Sequence, residues 1–312
     1  MTYQFEPDEA VDTGLRRIAK ELIDDAIAWS EKPDADLHEA VHEVRKDCKK
    51  IRGLLRIVRP AAPKLYAAEN AAFRDAAASL SSIRDIEASI ESHDALMARF
   101  KDELDQESLA PIRAALSGYK HHVSETAGDL KGRLAEFHMA MLDARERVAT
   151  WKLPKKKQKG DGWQLLEAGL SKTYQRGRQA MALAYDAPSV EAFHDWRKRA
   201  KYLRYHVRLL RPAWPQLLRQ THEEIQTLGE LLGDDHDLAV LRDVLPLAVE
   251  TVPDPQQIPS IQASIERRSH ELRGQAHWLG LRIYAEPKKA MRKRMHAYWS
   301  AAWREQRRSA QA

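Results

Sequence analysis

Apolar residues recur every three or four positions along most of this chain, which is the spacing of an amphipathic helix. No segment alternates convincingly between apolar and polar residues, as a half-buried strand would. Pro60, Pro111 and Pro212 lie where the helical period is interrupted, as expected at helix ends. The periodic stretches predict helices over 9–30, 36–59, 63–82, 84–101, 108–151, 162–184, 189–211, 214–232, 236–250, 258–284 and 288–308. The pattern therefore predicts an all-α protein.

Two segments of the chain are copies of each other. EAVHEVRKDCKKIRGLLRIVRP (39–60) aligns without a gap with EAFHDWRKRAKYLRYHVRLLRP (191–212), and ten of 22 columns are identical. Between the copies, LPKKKQKGDGW (153–163) has the composition of an exposed connector. Because self-similarity of this kind indicates a duplicated architecture, we expect two tandem helical bundles. The predicted boundaries are 1–153 for the first bundle, 154–162 for a basic linker and 163–312 for the second bundle.

Each copy predicts a helix with one buried face. Apolar residues form a seam at positions 41, 44, 48, 51, 55 and 58, and again at 193, 196, 200, 203, 207 and 210. The lone cysteine, Cys48, belongs to this seam, so it is predicted to be a small core residue and not a catalytic thiol.

A row of basic residues follows each seam one position later. We call these rows the first stripe (His42, Arg45, Lys49, Arg52, Arg56 and Arg59) and the second stripe (His194, Arg197, Lys201, Arg204, Arg208 and Arg211). Lys46 and Lys198 widen the stripes on the far side. One residue turns about 100° around a helix, so each stripe flanks its seam over roughly 25 Å.

The charge of the chain is concentrated in these stripes. The whole chain carries +5, while residues 42–60 carry +5 and residues 194–212 carry +6, which leaves −6 for the rest. Crowding like charges at helical spacing is unfavourable without a ligand. Arginine forks and lysine ammonium groups suit phosphate oxygens. The stripes therefore predict a localised site for a long polyanion.

The identity of the polyanion is not fixed by charge alone. Proteins that hold single-stranded nucleic acid usually place aromatic platforms among the cations, and the first copy has none between His42 and Pro60. In the second copy Tyr202 and Tyr205 are the exceptions outside the seam. No helix-turn-helix or zinc finger is recognisable. Nucleic acid therefore stays as the alternative to a purely phosphate ligand.

A zinc-protease motif, H-E-x-x-H, occurs as His38, Glu39 and His42. It is not repeated in the second copy, where Val190 takes the place of His38. Glu69 would be a distant third ligand, beside the strongly positive stripe. A metal-dependent hydrolase using these residues is therefore the less favoured alternative, and no catalytic or metal site is predicted.

Two acidic clusters invite a metal interpretation as well. They are Asp85 with Glu87, and Asp234 with Asp235 and Asp237. Carboxylates at a helix start offset the helix dipole, so capping is the preferred interpretation, with metal binding left open. No apolar run is long enough to span a bilayer and no secretory signal is visible, so a cytoplasmic protein without a membrane is expected.

The doubled pattern H-x-x-R-K-x-x-K-x-x-R-x-x-x-R, present as HEVRKDCKKIRGLLR and HDWRKRAKYLRYHVR, resembles the CHAD domain, the conserved histidine α-helical domain. The resemblance also includes the GLRRIAKEL opening, the acidic segments and the duplication. It implies two four-helix bundles related by pseudo-twofold symmetry, with the stripe residues lining a groove that binds inorganic polyphosphate. We therefore expect a polyphosphate-binding protein that is not an enzyme and has no cofactor, with polyphosphate granules as a candidate partner.

The chain departs from the repeated pattern at two positions. Arg84 is replaced by Asp234 in the second acidic segment, and Lys50 by Tyr202 in the basic motif. The E-x-E-x-K signature of the triphosphate tunnel enzymes that are often fused to this family is absent from the sequence.

Overall fold

The computed structural model describes residues 3–6, 8–32, 36–80, 84–102, 110–118, 130–157, 160–249 and 258–309, and at 84–89 and 247–249 it describes the backbone alone. The regular structure in these ranges is entirely helical, which confirms the predicted class. The helices are α1 (Val11–Glu31), α2 (Leu37–Val58), α3 (Pro63–Ala78), α4 (Arg84–Arg99), α5 (110–118), α6 (Leu130–Ala149), α7 (Trp163–Asp186), α8 (Val190–Leu209), α9 (Pro215–Val249), α10 (Ile258–Ile283) and α11 (Lys288–Ser309). Two short 3-10 turns lie at Lys155–Lys157 and Arg211–Ala213.

The helices that carry the stripes begin at side-chain caps. The Asp36 carboxylate accepts a hydrogen bond from the His38 backbone N–H (2.8 Å) at the start of α2. The Ser189 hydroxyl accepts one from the Ala192 N–H (3.1 Å) at the start of α8. Such caps satisfy backbone donors that the first helical turn leaves unpaired.

One predicted helix break is wrong. Helices were expected over 214–232 and 236–250, whereas α9 runs unbroken through Gly233. In the described ranges only Gly160 and Gly162 adopt a positive φ, so Gly233 keeps a helical backbone that an L residue can also adopt. The long helix expected over 108–151 is described as α5 and α6, and residues 119–129 between them lie outside the described ranges.

Both predicted seams are buried. All twelve seam residues are at most 9% exposed, Cys48 among them, as predicted from their spacing. Helix α2 packs against α1, α3, α7 and α8, while α8 packs against α7 and α9. The stripes, one residue away, are therefore carried along the edges of the core.

Close helix crossings bring the two copies together. A methyl group on Gly53 of α2 would lie 2.7 Å from the Tyr205 ring of α8, and Gly53 and Tyr205 occupy matching positions in the aligned copies. On α7, a methyl group on Gly169 would lie 1.8 Å from the backbone oxygen of Ile57. Only glycine permits such an approach, so α2 lies directly against α7 and α8.

Two apolar clusters form the interior, and each draws residues from both sides of the predicted linker. The larger joins α1, α2, α3 and α6 to α7, α8 and α11. The smaller joins Leu96, Phe100 and Leu116 to residues of α9 and α10 such as Leu241 and Ile265. The division at 154–162 and the internal duplication remain predictions from the sequence. None of the helices described here has an apolar stretch long enough to cross a membrane.

Candidate anion-binding surface

Cations from three helices meet at one pocket where α2, α7 and α8 pack together. Its basic residues, which we call the central basic cluster, are Arg56, Arg59, Lys172, Arg176 and Arg199. Arg56 and Arg59 end the first stripe, whereas the other three were not predicted. Thr173, Tyr202 and Gly169 complete the walls together with Pro60. The pocket thus combines the first copy with residues that come after the predicted linker.

Arg176 is within electrostatic reach of three other members of the central basic cluster. The pKa of Arg176 is lowered, first by burial and then by the positive charges of Arg199, Arg59 and Arg56. Arg199 is compensated by Asp195, whose carboxylate accepts two hydrogen bonds from it (3.0 and 3.2 Å). Among the described residues, no carboxylate pairs with Arg56, Arg59 or Arg176 within 4 Å. The cluster therefore keeps an excess of positive charge.

Aromatic faces hold the two stripe arginines of this cluster. The guanidinium carbon of Arg56 lies 3.9 Å from the ring centroid of Tyr202 on α8, and that of Arg59 lies 4.6 Å from the ring centroid of Tyr66 on α3. Such cation–π contacts orient an arginine without neutralising it. Tyr202, which departs from the repeated motif, thus supports an arginine of the other copy.

The end of the second stripe forms another basic group, at the end of α8 and in the 3-10 turn that follows it. The pKa of His222 is lowered to about 4, first by burial and then by Arg204, Arg208 and Arg211. The pKa of Arg208 is also lowered, by burial and then by Arg211. Arg211 donates a hydrogen bond to the neutral side-chain oxygen of Gln4 (3.2 Å). These arginines have no carboxylate partner within 4 Å in the described part of the chain.

The middle of each stripe contacts the helix that follows it. Arg52 donates from Nε to Oδ1 of Asn70 on α3 (3.2 Å). Arg204 and His222 occupy the matching positions of the second copy, 152 residues later, and they also interact. Lys49 and Lys201 are half-buried on α2 and α8.

The first residues of the stripes have structural partners. Arg45 donates to the backbone oxygen of Leu80 (2.8 Å), and Arg197 lies against Gly233 of α9. Both arginines therefore contribute to packing as well as to charge. Lys46 pairs with Glu43 (2.7 Å) and Lys198 with Asp195 (3.7 Å), which reduces the net charge they add.

The histidine of the second stripe is less basic than an ordinary histidine. The pKa of His194 is lowered to about 4, first by burial and then by His236, Lys198 and Arg197. Its ring centroid lies 4.3 Å from that of His236. His194 is therefore neutral in mild acid and adds no charge to the stripe there. His42 lies with Nε2 3.7 Å from a Glu43 carboxylate oxygen.

The H-E-x-x-H residues take other roles. The His38 backbone is part of the α2 cap, and Glu69, the distant candidate ligand, binds Arg147 (3.3 Å). Within the described ranges, no group of three or more His, Cys, Asp or Glu side chains is placed to hold a metal. No finding here favours the metal-dependent hydrolase.

The second acidic cluster is not a helix cap, because it lies inside α9. Asp235 is buried and accepts hydrogen bonds from the Ser269 hydroxyl and from Nε of Arg273 (2.9 Å) on α10. The pKa of Asp234 is raised, first by burial and then by Asp237. The side chains of Asp85 and Glu87 lie outside the described residues.

Comparison with known proteins identifies the family of this chain. A family model for the CHAD domain matches residues 17–246, which is most of the chain. The chain belongs to the CHAD domain family. A solved structure, the crystal structure of the CHAD domain from the plant Ricinus communis, is similar with a TM-score of 0.49 and 19% identity over 94% of each chain. No curated protein matches. Helices α10 and α11 lie beyond the stretch that the CHAD model matches.

Proposed function

We propose that this CHAD-family protein binds inorganic polyphosphate and does not catalyse a reaction on it. The observation that carries the proposal is the central basic cluster, in which Arg56, Arg59 and Arg176 converge without carboxylate partners among the described residues. Such a cluster is unfavourable in the free protein and is relieved by an anion. Arg56 of the first stripe contacts Tyr202 on α8, the helix that carries the second stripe, and in this proposal one chain of phosphates follows both stripes.

The aromatic residues beside the stripes support a phosphate ligand over nucleic acid. Tyr202 and Tyr66 present their faces to Arg56 and Arg59, and Tyr205 is buried against Gly53. Stacking platforms for bases need accessible ring faces. The site therefore offers charge and forked donors, which is what a chain of phosphoryl groups requires. A cytoplasmic location with association to polyphosphate granules is part of the same proposal, as the consequence of binding this ligand.

Competition binding tests the proposal. Labelled long-chain polyphosphate is titrated with the protein, and duplex or single-stranded DNA is added at equal phosphate concentration. We expect DNA to compete poorly and the affinity to fall steeply with salt, because phosphate contacts release counterions. Displacement of polyphosphate by DNA at equal phosphate would overturn the choice of ligand. Release of orthophosphate during the incubation would overturn the non-catalytic assignment.

A pair of matched variants locates the site. Arg56→Gln with Arg59→Gln removes two unpaired arginines and is expected to weaken binding about tenfold or more. Arg74→Gln with Arg145→Gln removes the same charge from arginines that pair with Asp75 and Asp24, and should have little effect. Equal losses in the two variants would mean that net charge, and not this cluster, determines binding.

A further inference from the structure

Helix α11 is strongly basic and lies outside the stretch that the CHAD model matches. Its 22 residues carry eight Lys and Arg against Glu305, a net charge of +7. Seven of the eight cations are exposed, and the exception, Arg294, pairs with Glu286 (2.6 Å). Among the described residues, none of the seven exposed cations has a carboxylate within 4 Å. This charge is as concentrated as that of either stripe.

The fold does not depend on these exposed cations. Helix α11 packs against α7 through Met291, Met295 and Trp299, which are buried on the opposite side. Lys289, Lys293 and Arg304 extend away from that apolar side, where like charges repel one another. Because the apolar side is already covered, the helix has no free hydrophobic face to insert into a membrane. A soluble polyanion is the partner that this surface fits.

The predicted linker adds to the same surface. Lys155–Lys157 is an exposed 3-10 turn. Four residues later, Asp161 is fixed to α11, where it accepts hydrogen bonds from the Ser300 hydroxyl (2.6 Å) and, through its backbone oxygen, from the Trp299 indole (2.8 Å). Four residues span at most about 14 Å, so Lys157 lies within about 14 Å of a residue that contacts α11. We call the exposed cations of α11 and Lys155–Lys157 the C-terminal basic surface.

Helix α11 contacts the end of the second stripe. Helix α11 packs against the turn Arg211–Ala213, which contains the last cation of that stripe. Directly after it, Trp214 meets Tyr298 of α11 with ring centroids 4.9 Å apart. Tyr298 lies near the middle of α11, so about 15 Å of this helix extends to either side of the contact, compared with roughly 25 Å for the stripe.

We propose that the C-terminal basic surface extends the binding track, so that a polyphosphate chain leaving the second stripe at Arg211 continues along α11. The proposal rests on the proposed function. Its consequence is a preference for long chains. A chain that spans only one stripe contacts the central basic cluster, whereas a chain several times longer also neutralises α11.

The experiment compares short and long polyphosphate on the full chain. The α11 variant carries Lys289→Gln, Lys293→Gln, Arg304→Gln and Arg308→Gln, all at exposed positions. We expect its affinity for long chains to fall about tenfold and its affinity for short chains to stay within about twofold. The control variant loses the same charge from other exposed positions, through Lys20→Gln, Lys101→Gln, Lys131→Gln and Arg242→Gln. It should keep most of the preference for long chains.

The outcomes separate the two proposals. If the α11 variant keeps the wild-type length preference, or loses short and long chains equally, the extended track is wrong while polyphosphate binding stands. If wild-type protein binds neither chain length, the proposed function itself fails. If duplex DNA or anionic vesicles bind wild-type protein and lose affinity in the α11 variant while long polyphosphate does not, α11 serves a different partner and the inference is overturned.

Discussion

Arg176→Gln should stabilise the free protein and weaken its response to polyphosphate. The Arg176 guanidinium is disfavoured by burial and by three neighbouring arginines, Arg199, Arg59 and Arg56. A like charge at helix-surface distance costs about 0.2 to 0.5 kcal/mol, so removing three such repulsions is worth about 1 kcal/mol before screening by salt. For a chain of this size, that corresponds to an increase in melting temperature of about 2 °C.

Thermal unfolding followed by circular dichroism at low and high salt measures this effect. The increase should be largest at low salt and should shrink as salt screens the cluster. Long-chain polyphosphate should raise the melting temperature of wild-type protein by binding the folded state, and should raise that of Arg176→Gln by less. Arg178→Gln, two residues along the same helix and outside the pocket, is the matched control and should change neither value in this way. A melting temperature for Arg176→Gln at or below that of wild type at low salt would refute the proposed repulsion.

Two further predictions concern the core at the helix crossings. Gly169→Ala places a methyl group 1.8 Å from the Ile57 carbonyl oxygen and should destabilise the fold by about 3 kcal/mol. Gly229 in α9 has open space around it, so Gly229→Ala should stabilise the fold by about 0.5 to 1 kcal/mol. Urea unfolding compares them, and a tolerated Gly169→Ala would contradict the close α2–α7 contact. His206 is buried and donates from Nε2 to the Gly53 oxygen (3.2 Å), and burial lowers its pKa to about 3. Between pH 3 and its ordinary pKa of 6.5, the unfolded chain therefore binds a proton at this residue that the folded chain does not. Stability should therefore fall as pH drops through about 6. His206→Leu introduces the residue found at the matching position 54 and should make that loss of stability shallower. If the urea midpoints of wild type and variant changed in parallel between pH 4 and 8, the prediction would be contradicted.

The sequence predicted which faces of α2 and α8 are buried, but it did not predict which helices cover those faces. The seams containing Cys48 and Trp196 are buried because a 3.6-residue period directly reports which face of a helix avoids water. The stripes followed from the same geometry. That α2 and α8 cross at Gly53 and Tyr205 could not be derived, because periodicity gives the buried face of a helix but not the neighbour that covers it.

Three of the five residues of the central basic cluster were missed for the same reason. Lys172 and Arg176 lie one turn apart on α7, in a segment that matches the first copy only loosely, and Arg199 falls between two stripe positions. A usable signal was present in Gly169, since a glycine inside a helix often marks a close approach to another backbone. It lies one turn before Lys172 and brings that face of α7 against α2.

The errors arose where tertiary contacts override local signals. Asp235 was interpreted as a cap because it directly precedes the helix expected over 236–250, but its carboxylate is satisfied by Arg273 and Ser269 of another helix, and α9 continues. The neutral state of His194 depends on burial beside His236, which is 42 residues away in the sequence. Neither partner can be inferred from spacing.

The smaller apolar cluster, in which α4 and α5 pack on α9 and α10, determines how the chain would behave after cleavage. A protease cut within 154–162 would produce two fragments, neither of which contains a complete interior of its own. The nicked protein should therefore elute as one particle on a sizing column and separate only in denaturant. For the same reason, either half expressed alone should be recovered as an aggregate, and expressing the two halves together should restore a soluble product.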